Sequence, residues 1–218
     1  MSLGDCIESE QVLSLGDCAI HAAKVLQLHK CWRHRGTFWT LGASTYNDDV
    51  MDYMAVAYKD NSILARHFGG LLQGLADMLA TKLGKEVIYL PTHGMPGFHI
   101  FDESANGKTG SVHIDQPETR SWWPCKTTER FSFTVPLELP QGQGGLNLYK
   151  GNEETIKSHT GALPKPEYYP YEVGKLYIHD GQTIHQIANP VDMETNQYRI
   201  TLQGHGATLS NGQVVLYF

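Results

Sequence analysis

The spacing of apolar residues changes near residue 86. Before it, apolar positions recur at helical intervals; after it, they come in short alternating runs. In residues 12–28, Leu15, Cys18, Ala19, Ala22 and Val25 share one helical face. Residues 38–46 are β-like in composition. Asn61 and Ser62 then offer an N-cap to a long helix. Its apolar stripe is Ile63, Leu64, Phe68, Leu71, Leu72, Leu75, Met78 and Leu79, and Gly84 is its expected stop.

Beyond residue 86 the pattern predicts strands at 87–90, 97–101, 111–115, 131–139, 146–149, 175–178, 183–187, 198–203 and 214–217. The 131–139 run alternates: Phe131, Phe133, Val135, Leu137 and Leu139 against Ser132, Thr134 and Glu138. The segments 140–145 and 160–174 read as Pro/Gly-rich loops. The expected fold is mainly β with a helical buttress, an antiparallel barrel or jelly roll. One domain is expected over 1–218, with a mostly helical layer at 1–85 and the β core at 86–218.

Composition narrows the function classes. Hydrophobic residues make up 41% of the 218, enough for a real core. A net charge of −6 argues against a nonspecific nucleic-acid binder, which needs a basic stripe. Cys6, Cys18, Cys31 and Cys125 form no C-x-x-C pair, and a chain of this length folds without disulfide staples. Asp5, Glu8 and Glu10 occupy the place of a basic signal-peptide start, and no apolar run suits a membrane span. A cytoplasmic protein is expected. The segment SLGDC occurs twice, at 2–6 and 14–18, and no function attaches to it.

Three segments carry candidate chemistry. In "SVHIDQPE", His113 and Asp115 are two residues apart, so in a strand they face one spot. A histidine with a carboxylate suits a borderline divalent metal. In "GKLYIHDGQTIHQI", Asp180-Gly181 signals a hairpin. That places His179 beside the turn, as a solvated residue or as one supporting the ligands from behind, and sets His185 within the returning strand as the better ligand. In "YRITLQGHG", Arg199, Thr201, Gln203 and His205 share a strand face. An arginine facing a barrel mouth is costly without an anion to hold. A guanidinium forks to a carboxylate, and a hydroxyl two residues on adds a bond.

In this order, His113-x-Asp115, His185 and Arg199-x-Thr201 resemble the Fe(II)/2-oxoglutarate-dependent dioxygenase family over residues 96–218. "QGQGGLNLY" at 141–149 is similar to its glycine-marked strand. The resemblance implies a double-stranded β-helix. His113, Asp115 and His185 would hold Fe(II), and Arg199 and Thr201 would grip the distal carboxylate of 2-oxoglutarate. It further implies O2 as oxidant, succinate as by-product, and hydroxylation of an unactivated C–H bond, since the carboxylate ligand is present.

Asn147 is a candidate to orient 2-oxoglutarate. His99 and Phe101 are candidates to line the pocket, Arg120 to meet an acidic group on the substrate, and Trp122 and Trp123 to form a lid. The expected substrate is a small molecule, amino acid or peptide. Two other classes stay open. A cupin-like thiol dioxygenase or isomerase usually carries H-x-H and a glutamate, and leaves Arg199 without purpose. A non-catalytic β-barrel binding module would not need the intact ligand set.

Overall fold

The computed structural model describes residues 7–44, 50–108, 110–115, 127–151, 164–189 and 191–218. In chain order the elements are β1 (Glu8–Gln11), α1 (Leu15–Gln27), β2 (Arg33–His34), β3 (Trp39–Leu41), α2 (Val50–Leu83), β4 (Val87–Ile88), β5 (Gly97–Phe101), β6 (Thr127–Glu138), β7 (Gly145–Tyr149), β8 (Glu167–Pro170), β9 (Lys175–His179), β10 (Ile184–Ala188), β11 (Arg199–Leu209) and β12 (Val214–Tyr217). Lys59 is exposed, Arg35 is half-buried, and Asp60 and Arg199 are buried.

Nine strands form one sheet in the order β1-β9-β6-β11-β5-β3-β2, with β12 joined to β11 and β4 to β12. A second sheet holds β10, β7 and β8. Pairing is antiparallel except between β12 and β4. Helices cover one face of the large sheet: Cys18, Ala22 and Val25 of α1, with Leu64, Phe68 and Leu72 of α2, pack on Phe98, Ile100, Ile200 and Leu202. Each such buried Leu or Phe contributes about 2 kcal/mol. On the other face, Tyr177 of β9 meets Leu146 and Leu148 of β7, so the small sheet closes a sandwich over the large one. Among the described residues, no helix is long and apolar enough to cross a membrane.

α1 begins at Ser14, whose hydroxyl accepts the backbone N–H of Asp17. α2 departs from the expected N-cap. It runs 34 residues, straight through Asn61 and Ser62. The apolar face simply starts earlier, with Tyr53 and Ala57 buried ahead of Leu64. Asn61 spends its amide elsewhere: Nδ2 donates to the His93 carbonyl and Oδ1 accepts from the Met95 N–H, both at 2.8 Å. Gly84, with φ of 62°, ends the helix as expected.

The strand pattern held except at 111–115, where His113 makes only an isolated bridge, and with three further corrections. First, short or polar edge strands escaped it: β1 is exposed throughout, β2 has two residues, and β8 lies in a supposed loop. The N-terminal third therefore extends the large sheet as well as covering it. Second, the Asp180-Gly181 turn is a corner, not a hairpin. β9 pairs with β6 and β1, whereas β10 pairs with β7, so the chain changes sheets there. Asp180 Oδ1 stabilises that corner by accepting from the N–H groups of Gln182 and Thr183.

Third, the alternation of β6 breaks at Leu137. Thr201 pairs with Pro136 and Ile200 with Glu138, which leaves Leu137 as a bulge residue. Leu137 stays in the helix-side core while Leu139 joins Leu146 and Tyr171 between the sheets. Glu138 is half-buried, and burial pushes its carboxyl up.

The bonds of Asn61 tie the middle of α2 to the approach of β5. Asn61→Ala removes both partners and should cost about 2 kcal/mol of stability. Urea unfolding checks this as a lower midpoint with an unchanged slope; an unchanged midpoint would mean that these bonds do not anchor the approach.

Candidate metal centre and its pocket

Residues 110–115 have no strand of their own. They are held against β10 by one antiparallel bridge, in which the His113 N–H donates to the His185 carbonyl at 3.0 Å and the His185 N–H returns the bond at 2.9 Å. The Asp115 N–H donates to the Gly181 carbonyl at 3.0 Å. This pairing sets the two imidazoles side by side, with ring centroids 4.5 Å apart. Their Nε2 atoms face one carboxylate: His113 Nε2 is 3.5 Å from Asp115 Oδ1 and His185 Nε2 is 3.6 Å from Oδ2. One donor atom from each of the three residues lies within 4.8 Å of the others.

The tautomers suit a cation. His113 Nδ1 lies 2.9 Å from the Ser111 carbonyl and His185 Nδ1 lies 2.8 Å from the Thr183 carbonyl. A carbonyl only accepts, so each Nδ1 carries the hydrogen and each Nε2 turns a lone pair inward. Burial works against the charge of Asp115, but His185, His205 and His113 hold its carboxyl well below the ordinary range. Burial keeps His185 below its usual value, in part offset by Asp115. Burial also opposes the charge of His113, yet the bond to Asp115 raises it overall. Two neutral imidazoles and one ionised carboxylate are what a divalent cation requires.

Arg199 opens β11 on the same inner face and lines the same pocket. Its side chain is 2% exposed and lies between the rings of Phe101 and Tyr171, 5.6 and 5.8 Å from their centroids. Nη1 donates to the Ala188 carbonyl and to Asn189 Oδ1, both at 2.7 Å, and Nη2 to the Gly145 carbonyl at 3.1 Å. Nε has no partner among the described residues, and no carboxylate among them forms an ion pair with the guanidinium. Burial pushes the pKa of this group down to about 10. A buried, unneutralised cation is costly to keep, and a bound anion removes that cost.

The remaining sequence candidates divide. Thr201 and His99 are cross-strand partners on the Arg199 face, as Arg199 and Phe101 are. The Thr201 hydroxyl donates to Gln203 Oε1 at 3.2 Å. Asn147 is a correction. Leu146 and Leu148 face inward from β7, so Asn147 faces away, and its Nδ2 donates to Gln186 Oε1 at 3.3 Å. His179 is a second correction, being buried rather than solvated, with its ring 4.9 Å from that of His185. Burial lowers it to about 4. Arg120, Trp122 and Trp123 lie outside the described residues.

Two pocket residues escaped the sequence reading. Ser132 Oγ donates to Asp115 Oδ2 at 2.6 Å, and His205 Nδ1 lies 3.0 Å from the same hydroxyl. The alternation of β6 and the shared face of β11 put both on the inner side; nothing in the spacing put them under Asp115.

No family model matches the chain, and no curated protein does. Solved structures do. An N-substituted L-amino acid dioxygenase from Burkholderia ambifaria AMMD, in complex with alpha-KG, is 12% identical with a TM-score of 0.60 over 97% of this chain and 86% of that one. A second structure of such a dioxygenase from the same organism is 9% identical with a TM-score of 0.56 over 99% and 88%. The non-heme alpha ketoglutarate dependent epimerase SnoN from nogalamycin biosynthesis is 15% identical with a TM-score of 0.51 over 92% and 76%. The likeness is one of fold: the chain has the jelly-roll architecture of these enzymes.

The depressed imidazoles make an acid-sensitive site in metal-free protein. A histidine lowered on folding takes up its proton in the unfolded chain first, so stability falls as pH drops from about 6.5 towards the folded value. For His179, lowered to about 4, the loss across that window is about 3 kcal/mol. His179→Asn should therefore flatten the pH dependence of urea unfolding between pH 6.5 and 4. An equal slope in both proteins would mean that His179 is not the group titrating.

Proposed function

We propose that this protein is a nonheme Fe(II)/2-oxoglutarate-dependent oxygenase that hydroxylates an unactivated C–H bond of a small molecule, amino acid or peptide. The observation that carries the proposal is the presence, in one pocket, of a His-Asp-His donor set and a buried arginine with no carboxylate partner among the described residues. Either feature alone fits many proteins. Together they suit a metal and an organic anion bound side by side. The fold likeness agrees, since one neighbour is a dioxygenase in complex with alpha-KG.

In this reading His113, Asp115 and His185 hold Fe(II) through Nε2, a carboxylate oxygen and Nε2. Fe(II) with O2 supplies the oxidising power, and 2-oxoglutarate is consumed to succinate and carbon dioxide. The rest falls to the chain. Arg199 holds the distal carboxylate, with the Thr201 hydroxyl beside it on the strand. Phe101 and Tyr171 shield the guanidinium from water, which strengthens its hold on an anion. The backbone bonds of His113 and His185 fix the imidazole tautomers before the metal arrives.

Anaerobic addition of Fe(II) and then 2-oxoglutarate to the metal-free protein should give a weak visible charge-transfer band, absent in His185→Ala. Arg199→Ala should raise the 2-oxoglutarate concentration needed for the band by 100-fold or so, about 3 kcal/mol, with Fe(II) affinity little changed. Bound Fe(II) without a band in the unaltered protein would remove the cosubstrate from this reading.

A further inference from the structure

Ser132 stands directly between two histidines. On β6 it is in register with His179 of β9 on one side and His205 of β11 on the other. Paired residues in an antiparallel sheet share a face. The three side chains therefore form a row across the inner face of the large sheet, and the carboxylate of Asp115 is bonded to the middle of that row.

The hydrogen bonds in the row run one way. Ser132 has a single hydroxyl hydrogen, and it goes to Asp115 Oδ2 at 2.6 Å, because an ionised carboxylate only accepts. His205 Nδ1, 3.0 Å from the Ser132 oxygen, must then be the donor. The direction is His205 Nδ1–H to Ser132 Oγ, and Ser132 Oγ–H to Asp115 Oδ2. His205 Nδ1 also approaches Oδ2 itself, at 3.9 Å. Oδ2 of Asp115 is thus engaged from the sheet side and also lies 3.6 Å from His185 Nε2, while Oδ1 faces His113 Nε2 at 3.5 Å.

We infer that Ser132, supported by His205, is a positioning residue that keeps Asp115 a one-oxygen ligand. This rests on the metal reading above. The consequence is arithmetic. Two histidines and a one-oxygen carboxylate leave three positions on a six-coordinate cation; a two-oxygen carboxylate leaves two. A chelating 2-oxo acid takes two by itself, so dioxygen would have no place. Ser132 acts on the number of open positions rather than on the grip on the metal. Partners behind metal ligands commonly change affinity or activity 10–100-fold.

The test compares unaltered protein with Ser132→Ala and Ser132→Thr, anaerobically. Fe(II) affinity is measured by chelator competition, 2-oxoglutarate affinity from the charge-transfer band, nitric oxide affinity of the Fe(II)- and 2-oxoglutarate-loaded protein, as a stand-in for dioxygen, from its absorption change, and folding from the thermal midpoint of the metal-free protein. The expected result for Ser132→Ala is Fe(II) and 2-oxoglutarate affinity within about threefold, nitric oxide affinity about 10–100-fold weaker, and recovery in Ser132→Thr, which keeps the hydroxyl. Unchanged nitric oxide affinity in Ser132→Ala would overturn the inference. So would a parallel loss of Fe(II), 2-oxoglutarate and thermal midpoint, which marks a structural bond only. The metal reading fails separately, by absence of the band in unaltered protein.

Discussion

His113 and His185 exchange two backbone hydrogen bonds at 3.0 and 2.9 Å, and the rest of the pocket depends on that exchange. Residues 110–115 form no strand of their own, so this exchange, with the Asp115–Gly181 backbone bond and the Ser132 hydroxyl, sets where His113 and Asp115 point. Once the bridge forms, strand geometry does the remainder. Gln186, next along β10, reaches out to the Gly110 carbonyl at 2.6 Å and is itself held by Tyr149. Asn147 belongs to this outer brace, which gives it a role in holding the His113 segment from behind. The donor set is thereby assembled from two segments that are remote in sequence, one of them, β10, also paired with β7.

The second physical theme is charge held in poor surroundings. Arg199, Asp115 and four imidazoles share a space with few water-facing surfaces. Burial lowers His179, His185 and His205, whereas Asp115 raises His113, and Asp115 keeps its own charge because these histidines surround it. Arg199 has only carbonyl and amide oxygens, which satisfy its N–H groups without cancelling its charge. The arrangement is half of an electrostatic pair on either side: a carboxylate short of cationic neighbours, and a cation short of an anion.

Much of this was legible in the sequence where one face of an element is buried. β5 and β12 were read to the residue, and β11 and the α2 stripe were read in part, because apolar burial imposes a period. The facing of His113 with Asp115, and of Arg199 with Thr201, follows from that same period. What escaped has no periodic signature. β1 is an edge strand exposed throughout and β8 an edge strand exposed at alternate positions, so their sequences look like loop. Asp180-Gly181 signals a tight turn but not which strands it separates. The reading of His179 as a solvated turn residue followed from that hairpin and fell with it; the alternative, a residue behind the ligands, agrees with its ring lying 4.9 Å from that of His185. Ser132 and His205 meet Asp115 only through pairing between distant strands, which composition does not encode. The α2 start was misplaced because Asn61 is a good cap that tertiary structure uses for another purpose.

The bulge at Leu137 has a consequence for which charges face the pocket. Were the ladder between β6 and β11 unbroken beyond the pair Thr201–Pro136, Ile200 would lie opposite Leu137 and Arg199 opposite Glu138. The chain would then supply its own counter-ion, and the guanidinium would be quenched from within. The spare residue turns Glu138 to the far side and puts leucine in its place. An irregularity that looks like a packing detail thus keeps the carboxylate of Glu138 off the face that carries Arg199.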